Sequence, residues 1–316
     1  MVFSRCLGFE SCRYNGQVIA SEVVEQLEPL VESVTPCPET DIGLGVPRDP
    51  VRIVRRGGGL RLVQPATGRD VSDEMRSHVA GFLDRLGPVD GFVLKSRSPS
   101  CGLTDTKLYG ETKKGQVLPG RIAGFLGGAV LDRFPDGAVE DEGRLTNFVL
   151  REHFFTRIYL SARFRAVRER PTMAGLVRFQ AENKLLFMGY NQARMRELGR
   201  IVANPERRPV AEVVRRYAEV LPQVVARPPR STSAVNVLMH ALGYFKDRVN
   251  SREKVFFLDA VESYRTGRVP LSVPQSIIRA WVVRFGEEYL AQQTFFRPYP
   301  EQLLFISDSG KGRRTS

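Results

Sequence analysis

A chain of 316 residues with 42% hydrophobic and 26% charged side chains can bury a core and is long enough for two domains, which excludes wholesale disorder. It has no run of eighteen uncharged apolar residues, and its first sixteen residues carry no secretory apolar stretch. No membrane association is expected, and a cytoplasmic location is. The +12 net charge is uneven: residues 149–316 hold 29 of the 47 basic and only 15 of the 35 acidic side chains, whereas residues 1–148 are close to neutral.

In chain order, MVFS reads as a short strand running into a loop with Cys6 and Cys12. SEVVEQLEPLVES has helical spacing behind Ser21 as a candidate cap, weakened by Pro29. SVTP reads as a strand, and CPETDIGLGVPRDP as a Gly/Pro-rich loop. RIVRRGGGLRLV is a hairpin about Gly57 to Gly59; Ser72 is expected to cap DEMRSHVAGFLDRL; DGFVLKS is a buried strand. GRIAGFLGGAVLDRF reads as a helix, followed by a last strand. Strands alternating with helices predict an α/β domain over residues 1–140, Rossmann-like with a mostly parallel sheet. From about residue 144, seven segments with apolar residues at i, i+3 and i+4 predict an all-α, basic domain over 146–305. Residues 306–316, without apolar period, are expected to be a disordered tail.

The chemistry lies in the cysteines. Cys6, Cys37 and Cys101 each follow a predicted strand, so all three reach one rim of a parallel sheet, where ligands bind in such folds. No C-x2-C pair signals structural zinc. An iron–sulfur cluster, a zinc site and unrelated thiols all remain compatible with the spacing. Glu39, two residues beyond Cys37, is a candidate general base or a solvated carboxylate; Ser98 and Ser100 flank Pro99 as turn residues or substrate contacts. There is no Gly-x-Ser-x-Gly, H-E-x-x-H or Walker A stretch, and no nucleotide cofactor is expected. In the basic half, Arg163, Phe164 and Arg165, Arg178 and Phe179, and Tyr244, Phe245 and Lys246 interleave cations with aromatics. Aromatics at helical spacing belong in a core, so the arginines are the better candidates for contacting a polyanion such as RNA.

CLGFESCRYNG, PCPE and RSPSCG resemble, in order over residues 1–135, the three hallmark segments of the thiouracil desulfidase family. The helical part, with LVRFQAENKLLFMGYN, RELGRIVAN, VNVLMHALGYFKD and YRTGRVPLSVP, resembles a domain often fused to that family. The combination is similar to bacterial desulfidases that convert 4-thiouridine in tRNA to uridine. The resemblance implies a [4Fe–4S] cluster held by Cys6, Cys37 and Cys101 with one iron open, Cys12 left over, and Glu39 and Ser98 assisting catalysis. It implies hydrolytic desulfuration with tRNA as partner, for which Arg194, Arg196, Arg200, Arg207 and Arg208 are the expected RNA contacts. A free-base thiouracil desulfidase, a tRNA sulfur-insertion enzyme and an RNA-binding protein with structural zinc are the alternatives. Phe9 and Asn15 depart from the small aliphatic residue and the aspartate expected there, and FQAENK lacks the histidines associated with the helical domain.

Overall fold

The computed structural model describes residues 1–110 and 115–305 and divides into two compact units, Met1–Phe154 with Phe305, and Phe155–Leu304. The expected tail at 306–316 lies outside the described residues.

The first unit runs β1 (Val2–Phe3), α1 (Glu22–Leu27), α2 (Pro38–Asp41), β2 (Arg52–Arg56), β3 (Gly59–Gln64), β4 (Arg69–Asp70), α3 (Ser72–Arg85), β5 (Phe92–Leu94), β6 (Thr106–Tyr109), β7 (Val117–Ile122), α4 (Phe125–Arg133) and β8 (Val139–Asp141). The order β1-β5-β8 forms a parallel sheet, with Val2 opposite Phe92 and Phe92 opposite Val139. Val34 adds an isolated parallel bridge to Val2, all that forms of the strand expected at SVTP. β5 is buried throughout, as a strand covered on both faces must be. A second sheet, β4-β3-β2-β6-β7, is antiparallel except between β2 and β6. One apolar core joins both sheets to the helices: Val2, Phe92 and Leu94 pack with Ile53, Leu62 and Leu108, with Met75, Val79 and Leu83 of α3, and with Leu126 and Val130 of α4.

The fold is α/β, as expected, but several local elements differ. Residues 120–122, expected to begin a helix, instead end β7; Pro119 is tolerated because β7 is an edge strand, and Gly120 takes φ +91°. The helix starts only at Phe125. Ser72 is the first helical residue rather than the cap; its hydroxyl accepts from Leu62 N at 2.7 Å, tying α3 to β3. Pro29 falls in a 3-10 turn that ends α1. Within the loop predicted over 37–50, Pro38–Asp41 form the single turn α2, with Pro38 at its first position, where the missing N–H is harmless.

The second unit is all-helical. Its boundary with the first falls within α5 (Phe148–Glu169). There follow α6 (Met173–Glu182), α7 (Lys184–Tyr190), α8 (Gln192–Ala203), α9 (Val210–Val224), α10 (Ser231–Gly243), α11 (Ser251–Arg265), α12 (Ser272–Phe285) and α13 (Glu288–Ala291). The caps are chemical: Thr172 and Asn191 accept amides at the starts of α6 and α8, Asn250 and Glu253 form a capping box on α11, and Gly286 ends α12 at φ +64°. Phe164, Phe179, Phe187, Tyr217, Phe245, Phe257 and Trp281 lie in the core. No helix of the described residues is long and apolar enough to cross a membrane.

Candidate metal centre

Three parallel segments lead into three cysteine loops at one rim of the sheet. Phe3 ends β1 ahead of Cys6, Val34 precedes Cys37, and Leu94 ends β5 ahead of the loop with Cys101. The first two loops are braced by Arg5. It pairs its backbone N with Pro36 O at 3.0 Å, donates Nε to Thr35 O at 2.8 Å, and forms an ion pair with Asp41 at 3.0 Å. Thr40 and Asp41 then fasten Cys37: Thr40 Oγ1 donates to Cys37 O at 3.0 Å, and Cys37 N donates to Asp41 Oδ2 at 3.2 Å.

The third loop sits on the start of α4. The amides of Gly124, Phe125 and Leu126 donate to the carbonyls of Gly102, Pro99 and Ser100 at 2.7, 3.1 and 2.7 Å. Amides at the first turn of a helix have no partner within it, so the loop's carbonyls satisfy them and the helix fixes the loop. The approach requires glycine: a Cβ on Gly127 would stand 2.1 Å from Gly102 O, and one on Gly124 2.7 Å from Ser100 O. Ser98 Oγ accepts from Ser100 N at 3.2 Å and Cys101 N at 3.0 Å, closing the turn.

Cys12 is buried at 2% exposure, Cys37 Sγ donates to its carbonyl at 3.9 Å, and the Cys37 and Cys6 thiols both act on its thiol. The bond with Cys37 pulls Cys12 down, while the bond with Cys6 and burial outweigh it, so it is pushed up to about 11. The Cys12 contact and burial hold Cys37 far above the ordinary thiol range. Burial pushes Cys101 up to about 12, against the hydroxyls of Ser4 and Ser98; the charges of Glu39 and Cys37 add to the rise. No three His, Cys, Asp or Glu side chains among the described residues gather as a single ion would require. A polynuclear cluster spans a wider gap between its ligands, and an all-thiol donor set suits iron–sulfur chemistry. The donor set therefore fits an iron–sulfur cluster, which takes thiolate ligands.

Glu39 lies beside the thiols on α2. Arg48, whose side chain is 4% exposed, donates Nε and Nη2 to Glu39 Oε2 at 2.9 and 2.6 Å, and Ser100 Oγ donates to Glu39 Oε1 at 2.8 Å. Of the two loop serines, it is thus Ser100 that touches Glu39, while Ser98 holds the Cys101 turn. Sequence reasoning missed Arg48 and Ser4. Arg48 carries no periodic signal in its Gly/Pro loop, and only its burial beside Glu39 marks it.

In the helical unit, Arg196 and Arg200 on α8 and Arg207 beyond it are exposed, with no ion pair among the described residues. Arg194 is paired with Glu197 at 2.5 Å, and Arg208 with Glu206 and Glu212.

The 2-thiouracil desulfurase family profile matches residues 1–142, and the profile of DUF1722, a family of unknown function, matches residues 184–300. The chain is 32% identical over 127 residues to uncharacterized protein YbbK of Bacillus subtilis (strain 168), covering 38% of this chain and 83% of that protein. It is 27% identical over 140 residues to uncharacterized protein YbgA of Escherichia coli (strain K12), covering 44% of this chain and 82% of that protein. Among solved structures, the [4Fe-4S]-dependent thiouracil desulfidase TudS matches with 29% identity and a TM-score of 0.36, over 46% of this chain and 91% of that one. The chain belongs, through residues 1–142, to the 2-thiouracil desulfurase family, and carries a DUF1722 domain over residues 184–300.

Proposed function

We propose that the protein removes sulfur from 4-thiouridine in tRNA, giving uridine and sulfide, with a [4Fe–4S] cluster held by Cys6, Cys37 and Cys101. The observation carrying this reading is the placing of three cysteine loops and one clamped carboxylate at a single rim of the parallel sheet in a desulfurase-family chain. When bound, the cluster supplies a thiophilic Lewis-acidic iron with one open position for the thiocarbonyl sulfur.

The chain's own residues handle the water and its protons. Replacing C=S by C=O consumes one water, whose two protons leave with the sulfide. Glu39 Oε2 is taken up by Arg48, so Oε1 is the oxygen that accepts a proton from the attacking water and returns it to the departing sulfur. Ser100, already on Oε1, keeps that oxygen aligned, and Ser98 has a hydroxyl proton to offer the base, since its oxygen accepts the two loop amides. Burial of Cys12 and Cys101 limits the access of bulk water from their side of the site.

The helical unit supplies the affinity for tRNA. Arg196, Arg200 and Arg207, exposed and uncommitted, are placed to neutralise phosphates; Arg194 and Arg208 would first have to leave their acidic partners. The second reading, a free-base thiouracil desulfidase, is favoured by the family's named substrate. Comparing kcat/KM of the anaerobically reconstituted protein on thiolated tRNA and on free 4-thiouracil separates them. The proposal expects tRNA to be preferred by orders of magnitude; preference for the free base would overturn it.

A further inference from the structure

We infer that Arg48 is the positioning residue of the site, acting through Glu39 and through the backbone of the Cys12 loop. The inference rests on the proposed role of Glu39 as proton acceptor. Four of the five N–H groups of this guanidinium are committed. Nε and Nη2 hold Glu39 Oε2 at 2.9 and 2.6 Å, while Nη1 donates to Cys12 O at 3.0 Å and Gly45 O at 2.9 Å. The Arg48 amide donates to Tyr14 O at 2.8 Å, so backbone and side chain both grip the loop that carries Cys12.

Geometry makes this more than an ion pair. Both bonds to the carboxylate fall on one oxygen, which fixes the Glu39 rotamer while leaving Oε1 to Ser100 and to water. Through Ser100, next to Cys101, the clamp extends to the third cysteine loop; through α2 it reaches Cys37. One buried arginine thereby sets the Cys12, Cys37 and Cys101 loops and the carboxylate in register. A lysine could keep the charge, but not two bonds to one carboxylate oxygen together with two to carbonyls on the opposite side. Removing Arg48 leaves Glu39 beside the thiols with a free rotamer and takes the side-chain donor from two loop carbonyls, those of Cys12 and Gly45.

The test uses the full chain and two readouts. In the reconstituted enzyme, Arg48→Met is expected to lower kcat by about 10- to 100-fold, the usual effect of a residue that orients a site from behind, with KM for thiolated tRNA little changed. In a Glu39→Gln background the same substitution is expected to cost less than about 3-fold, and methylguanidinium is expected to restore part of the activity of Arg48→Ala but none of Glu39→Gln. An equal loss in both backgrounds would overturn action through Glu39. The apo protein gives the second readout, labelling by iodoacetamide followed residue by residue. Cys12 is expected to react about 10-fold faster in Arg48→Met than in wild type, and about as slowly in Glu39→Gln as in wild type, because Nη1 still holds its loop there. Unchanged Cys12 labelling in Arg48→Met would overturn the clamp itself. An inactive wild type would sink the reading of Glu39 and leave the clamp to be decided by labelling.

Discussion

Gly127→Ala puts the seating of the Cys101 loop on α4 to the test. In an open helix the change would gain up to about 1 kcal/mol, because alanine is the better helix former. Here the new methyl would meet Gly102 O at 2.1 Å and Cys101 O at 2.7 Å, both backbone atoms that cannot swing aside. Relief demands a loop shift of roughly 1 Å, with an overpacking cost of about 1–3 kcal/mol. The shift also loosens the amide bonds from Gly124 and Leu126 to Gly102 and Ser100, each ~1 kcal/mol. The net expectation is a loss of ~2 kcal/mol, lowering the Tm of this unit by roughly 4–8 °C. Calorimetry of the apo protein measures it, and alkylation of Cys101, 6% exposed in the native protein, reports whether the loop has lifted. Gly199→Ala on α8, where the methyl meets nothing within 4 Å, is the control and is expected to be neutral or slightly stabilising. A Gly127→Ala protein as stable as wild type, with Cys101 equally protected, would refute the argument.

Other perturbations follow from the same contacts. Glu39→Gln should lower kcat on thiolated tRNA by about 100-fold or more while leaving iron content intact; retained activity would remove Glu39 from the proton path. Ser98→Ala should release two amides of the Cys101 turn and reduce both stability, by ~1 kcal/mol, and cluster retention, whereas Ser100→Ala should spare the turn and reduce kcat; iron content and kinetics of the pair would show the reverse if the assignments are exchanged. Charge reversal at Arg196, Arg200 and Arg207 should weaken tRNA binding and flatten its salt dependence, while reversal at Arg215, paired with Glu219 at 2.7 Å, should do so less. Burial, with the charges of Glu142, Asp105 and Glu140, raises Asp141 to about 6 from an unfolded value of 3.8. The folded protein thus binds this proton more tightly, so the contribution is present below about pH 4 and lost as pH rises to about 6. Asp141→Asn should abolish that decline, on the order of 2 kcal/mol, and a Tm gap to wild type that does not change between pH 4 and 6 would contradict it.

The sequence carried most of the fold and the composition of the site, and little of its wiring. Periodicity marked β5, α3 and the long helices because one face or the whole element is buried, and burial imposes a repeat. β7 was hidden because Pro119 and Gly120 interrupt its alternation, and an edge position is what permits them. The cysteines could be placed on one rim because each follows a parallel segment, and chain direction alone decides which rim that is. Arg48 and the division of labour between Ser98 and Ser100 were not legible. Each depends on where an irregular loop turns, and a buried arginine paired across nine residues leaves no repeat in the chain.

The most direct measurement is a single-turnover incubation of reconstituted protein with thiolated tRNA in H2(18)O, followed by mass analysis of the nucleosides and assay of sulfide. The account predicts uridine carrying one heavy oxygen in place of 4-thiouridine, with one sulfide released per nucleoside converted. Unchanged 4-thiouridine, or uridine without the label, would contradict it.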